Sequence, residues 1–215
     1  MLKIPGTKIT VYNPFLRRPP PSWPPSPPRL SLPDSQDSPG MRLAVFAERA
    51  AGDPSSSDYL YLRGLTCWIS VVEAARMAGS ISQAQATAIK TEITQEHWSP
   101  FVPLDSRIAF TRKQFTEIPL GGFLAFLKPA YPGQTNAEEG VILSHAMVYL
   151  GGGRAVGSNN FCIGGRPDWS VMDLATLPWA SNARNCDHSF EYDGGRFLVR
   201  YRAIDEIQKI GGVII

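Results

Sequence analysis

Proline is so unevenly distributed that it divides the chain before any other feature is weighed: 11 of its 19 prolines fall before residue 40. They crowd into RRPPPSWPPSPPRLSLP, Arg17 to Pro33. There the missing amides and fixed φ angles forbid helix and ladder pairing, so residues 1–40 are expected to be extended or disordered. Pro24, Pro27 and Arg29 also fit a P-x-x-P-x-R pattern of the kind SH3 domains bind as a polyproline II helix. A plain tether or a secretion-competent tail is the other reading. Residues 41–215 have the length of one domain, with no second linker and no internal repeat.

Charge then excludes whole classes of partner. The 21 Lys and Arg against 19 Asp and Glu leave a net +2, which gives no electrostatic grip on nucleic acid or an anionic membrane. No apolar run reaches bilayer length, and MLKIPGTKITVYN lacks the apolar core of a signal peptide. The expectation is a protein soluble when made, with any export by a specialised route. Cys67, Cys162 and Cys186 are too few for a disulfide scaffold and lack zinc spacing, although Cys162 and Cys186 could pair in an exported protein. No cofactor and no metal are expected, since GGGRAVG and GGFLAF do not precede helices as phosphate loops do.

Within the domain, MRLAVFA from Met41 alternates like a strand, Ala51 to Tyr59 reads as an exposed turn, and Tyr59, Tyr61 and Leu62 read as a strand leading onward. Trp68, Val71, Val72 and Ala75 then recur at helical spacing, giving a helix over Cys67 to Ala78 with Thr66 as N-cap and Gly79 as terminator. Ser82 and Gln85 form a capping box for a second helix. GGFLAFLKP, VILSHAMVYL and FLVRYRA follow as strands, with Gly151 to Gly153 turning into a short strand at Arg154 to Ser158. Helices first and an antiparallel sheet after them define an α+β domain.

Cys67 stands at the first position of its helix, where the unpaired amides favour a thiolate; a small buried Cys is the alternative. His145 lies in the middle of an apolar strand and needs a partner to offset burial. Asn159 and Asn160 come 14 and 15 residues later, after a hairpin that returns the chain to His145. An Asn oxygen there could hold the ring for the thiol, with Asn159 the first choice and Asn160, Asp187, Asp168 and Asp173 competing. His97 reads as a cation closing its helix. Trp169, Trp179 and DLATLPW could line a groove or seal the sheet.

GLTCWISVVEAARMAG, PLGGFLAFLKP and SHAMVYLGGGRAVGSNN stand in the order and spacing of the papain-like cysteine hydrolase superfamily. The stretch from Leu60 to Asn160 resembles NlpC-type cell-wall amidases and the papain-fold toxin domains of bacterial effectors. The resemblance implies helices bearing the Cys packed on a sheet bearing the His. It also implies Cys67 as nucleophile, His145 as base and then acid, and a polar orienter after the His hairpin. The chain departs from the cell-wall enzymes at Thr66-Cys67-Trp68, where they have Asp-Cys-Ser, at Gly121-Gly122, and at Gly157-Ser158, near their third His. The activity implied is hydrolysis of an amide in a protein or peptide: a peptide, isopeptide, peptidoglycan stem peptide or glutamine side chain. Tyr61 and Arg63 are upstream candidates for a second oxyanion donor. The front without a signal peptide fits an effector or toxin made in a bacterial cytoplasm and exported by a secretion machine, with an immunity protein or chaperone as partner. The alternative is an inert papain-like binding module with a proline-rich recruitment segment.

Overall fold

Ser38 begins the ordered account, because its hydroxyl accepts the Met41 N–H and Pro39 occupies the first helical turn, where a missing N–H costs nothing. The computed structural model describes residues 38–99, 101–102, 118–179 and 189–207, all within one unit, Asp34–Ile215. The proline-rich segment and its P-x-x-P-x-R pattern lie outside the described residues. Helix α1 spans Pro39–Gly52, so MRLAVFA is helical and not a strand. Seven residues were too few to separate the two periods; the extension to Ala50 places Leu43, Phe46, Ala47 and Ala50 on one buried stripe.

Helix α2, Ser57–Leu62, replaces the second expected strand, capped by the Ser56 hydroxyl on the Tyr59 N–H. Helix α3, Cys67–Met77, and helix α4, Gln83–Glu92, follow, and α4 carries the Ser82/Gln85 capping box. Thr66 holds the N-cap position of α3 without a side-chain cap. His97 lies beyond α4 and pairs with Glu138, which also accepts from the Trp98 and Ser99 amides. It therefore anchors a turn and does not close a helix.

Six strands follow: β1 (Phe123–Pro129), β2 (Val141–Gly151), β3 (Arg154–Gly157), β4 (Ser170–Asp173), β5 (Ser189–Tyr192) and β6 (Gly195–Arg202), before a short helix α5 (Ile204–Ile207). They form one antiparallel sheet in the order β4-β3-β2-β1-β6-β5. The architecture is α+β. One sheet face, with Phe123, Ala125, Leu127, Leu143, Ala146 and Val148, packs on the helices. The other, with Leu124, Phe126, Met147 and Tyr149, is covered by Ile163, Leu174, Leu177 and Phe190.

Two details of this packing position the site. The backbone at Gly40 meets the turn before β1 so closely that a Cβ there would stand 2.1 Å from the Leu120 carbonyl oxygen. In β2 the register slips, with Phe126 opposite His145 but Leu127 opposite Leu143, so Ser144 is an inserted residue. That bulge puts Leu143 and Ala146 on the helix face and His145 beside Phe126, their ring centroids 5.6 Å apart. Trp169 is sealed inside, donating to the Ala47 carbonyl, and Trp179 packs edge-on to Phe190. Trp179 seals its layer, whereas Trp169, though buried, also borders a surface pocket.

Candidate active site

Three stretches of chain far apart in sequence meet at the bulge: the start of α3, the middle of β2 and the turn after β3. Cys67 Sγ approaches the Ser144 carbonyl oxygen at 3.9 Å, across 77 residues. The Ala146 amide favours its ionised form from the other side of His145. The thiol is thus set against the main chain that carries the histidine. Cys67 is 6% exposed and His145 fully buried.

His145 Nε2 lies 2.9 Å from Asn160 Oδ1. The amide of Asn160 cannot be reversed, because Nδ2 donates to the Gly157 carbonyl at 3.0 Å, the Ser170 carbonyl at 3.0 Å and the Ser170 hydroxyl at 3.1 Å. Turning it over would face an oxygen to two carbonyl oxygens. Oδ1 must accept, so Nε2 carries the ring hydrogen and the lone pair of the neutral ring sits on Nδ1. Nδ1 is buried with no hydrogen-bond partner among the described residues. A basic nitrogen left unsatisfied in an apolar strand is an exception among buried polar groups.

Sequence placed Asn159 first beside the ring, and in the structure Asn160 is the neighbour that meets it. Asn159 takes a left-handed backbone, φ 61° and ψ 39°, which breaks the strand alternation and aims its side chain at the Leu65 carbonyl instead. Asp168 accepts from the Tyr59 hydroxyl at 2.9 Å and pairs with Arg166, while Asp173 caps the Ala175 amide. Neither carboxylate is on the histidine. Asp187, Cys186 and His188 lie outside the described residues, and Cys162 is a free thiol. Tyr61 is held above its ordinary pKa by burial and then by Glu73, its hydroxyl drawn to the Glu73–Arg76 pair; Arg63 lies over the Tyr59 ring. Both engage partners other than the thiol.

Sequence reasoning missed Ser170 and Gly165. Ser170 fixes the Asn160 amide, and a Cβ on Gly165 would fall 2.6 Å from Asn160 Cβ. The glycine pair after Asn160 was the available signal.

Electrostatics depart from the sequence expectation of a depressed thiol. Burial, with Cys162 nearby, pushes the Cys67 thiol up to about 12, against the pull of the Ala146, Trp68 and Cys67 amides. Burial likewise lowers His145 to about 4, although Asn160 works the other way. Desolvation exceeds the helix N-terminus because no solvent remains to support the charge. At rest the thiol and the imidazole are therefore both neutral.

A half-open pocket of about 340 Å³ is lined by Glu48, Tyr59, Asp168, Trp169 and Val171, and includes neither Cys67 nor His145. Among the described residues no cluster of His, Cys, Asp and Glu could hold a metal ion, and no helix is long and apolar enough to cross a membrane. No family model matches the chain, and no curated protein or solved structure is significantly similar to it.

Proposed function

We propose that this chain is a papain-like cysteine hydrolase that opens an amide bond through a thioester on Cys67. The supporting observation is the His145–Asn160 unit, whose amide geometry leaves the Nδ1 lone pair free beside the strand on which Cys67 packs. Nδ1 takes the Sγ proton as sulfur bonds to the amide carbon and the carbonyl electron pair moves to oxygen. Collapse of that intermediate breaks the C–N bond, and the His145 proton leaves with the amine. Water, deprotonated by the same nitrogen, then releases the acid and the thiol. Because burial disfavours both charges, proton transfer accompanies attack and no ion pair precedes it. Peptide, isopeptide, stem-peptide and glutamine amides share this first half-reaction and differ in the amine released.

The near-complete burial of Cys67 favours a second reading, an inert papain-like module that binds partners. Iodoacetamide labelling of the native chain, followed by peptide mass, separates the two. If His145 is the base, the Cys67 rate is flat between about pH 5 and 8, and in His145→Gln it rises about tenfold per pH unit as a free thiol dissociates. Labelling only after unfolding, or one profile in both proteins, supports the inert module.

A further inference from the structure

The two adjacent asparagines divide the work of the site. Asn160 is consumed in holding His145, whereas Asn159 faces the chain that leads into the nucleophile. Its Nδ2 donates to the Leu65 carbonyl at 3.2 Å, two residues before Cys67. The second Nδ2 hydrogen has no acceptor among the described residues. Its backbone is pinned on both sides, the amide on the Pro167 carbonyl at 3.3 Å and the carbonyl under the Cys162 thiol at 3.4 Å. Cys162 is in turn close enough to Cys67 to raise its pKa. Its left-handed backbone, which Asn tolerates better than most residues, brings the carboxamide to that carbonyl.

An acyl-transfer site needs two donors on the developing oxyanion, and the Cys67 backbone N–H, at an uncapped helix start, supplies one. Tyr59, Tyr61 and Arg63 are engaged elsewhere. We infer that the free N–H of the Asn159 carboxamide is the second oxyanion donor, an assignment that rests on the hydrolase reading above.

The test compares two reactions of one thiol. With iodoacetamide, sulfur forms its bond to carbon as iodide leaves with the C–I pair, and no oxyanion arises. With p-nitrophenyl acetate, sulfur adds to the carbonyl carbon and the electron pair moves to oxygen. Collapse then expels p-nitrophenolate and leaves S-acetyl-Cys67, the thiol proton passing to His145. In Asn159→Gly, which keeps the left-handed backbone and removes the carboxamide, the ratio of acylation to alkylation is expected to fall about 100-fold. The ratio cancels any change in the thiol's proton affinity. Asn159→Asp, equally tolerant of that backbone, gives the same loss and decides the matter if the glycine variant does not fold. A ratio within about twofold of the parent overturns the assignment. If the parent chain takes up neither reagent before unfolding, the hydrolase reading itself fails, which is a distinguishable result.

Discussion

At the scale of single residues, Asn160 has the most depending on it, since one buried carboxamide satisfies the ring of His145 and the carbonyls of Gly157 and Ser170. Removing it leaves the His145 ring and the Gly157 carbonyl without that partner where water does not reach, and each such loss costs about 1–3 kcal/mol. Asn160→Ala is therefore expected to lower unfolding stability in urea by about 3 kcal/mol. Ser170→Ala deletes only a shared third acceptor and should cost less than about 1 kcal/mol. Near-equal losses would mean that the amide is not the fixed point of the site. The sequence put Asn159 ahead of Asn160 and three aspartates as the orienter, and missed the partner of His145 by one residue, because a positive φ at Asn159 sends the two asparagine side chains to different partners. Nothing in the residue types announces which asparagine of a pair will adopt it.

At the scale of elements, the helices with strong end signals were legible and those defined by tertiary contact were not. The Ser82/Gln85 box and the spacing of Val71, Val72 and Ala75 located α4 and α3 closely. The Ser38 cap of α1 fell within the stretch read as linker, and α2, six residues long, shows too few turns for a period. The bulge in β2 was invisible for a related reason: register depends on the partner strand, here Phe126 and Leu127 of β1. The junction of α1 with β1 offers a direct check. At Gly121 a Cβ would lie 2.1 Å from the Gly40 carbonyl oxygen, and φ is +71°, so neither space nor backbone accepts a side chain. Gly121→Ala is expected to lower stability by about 3 kcal/mol or more. Gly52→Ala meets nothing within 4 Å at the end of α1 and should be neutral or stabilising by under about 1 kcal/mol. Thermal unfolding of the pair measures the contrast, and similar midpoints would mean that the Gly40–Gly121 approach is not tight in solution.

Across the whole molecule, helices before strands pointed to the fold class and the hairpin after His145 to the asparagines, while the contact over 77 residues between Cys67 and the His145 strand has no local pattern to encode it. The same long-range burial makes stability depend on pH in a way that exposes the site. His145 is held at about 4 against an ordinary 6.5, so the unfolded chain takes up this proton first as pH falls. Stability is then fully present above about pH 6.5 and declines towards pH 4, by about 3 kcal/mol in total. Cys67 acts at the other end: raised to about 12, it stabilises the fold below about pH 9, and that contribution fades as the unfolded thiol ionises. Carboxylates held low, such as Glu73 and Glu138, add their own loss only in stronger acid, so between pH 6.5 and 5 the share of His145 is read from its difference with a His145 variant. Unfolding free energies from urea titrations at those two pH values are expected to fall by about 2 kcal/mol more in the parent chain than in His145→Gln. Parallel slopes in the two proteins would mean that His145 titrates near its ordinary value, with water at the ring. In that case the ring is open to solvent, and the neutral resting pair gives way to one in which thiolate and imidazolium can coexist.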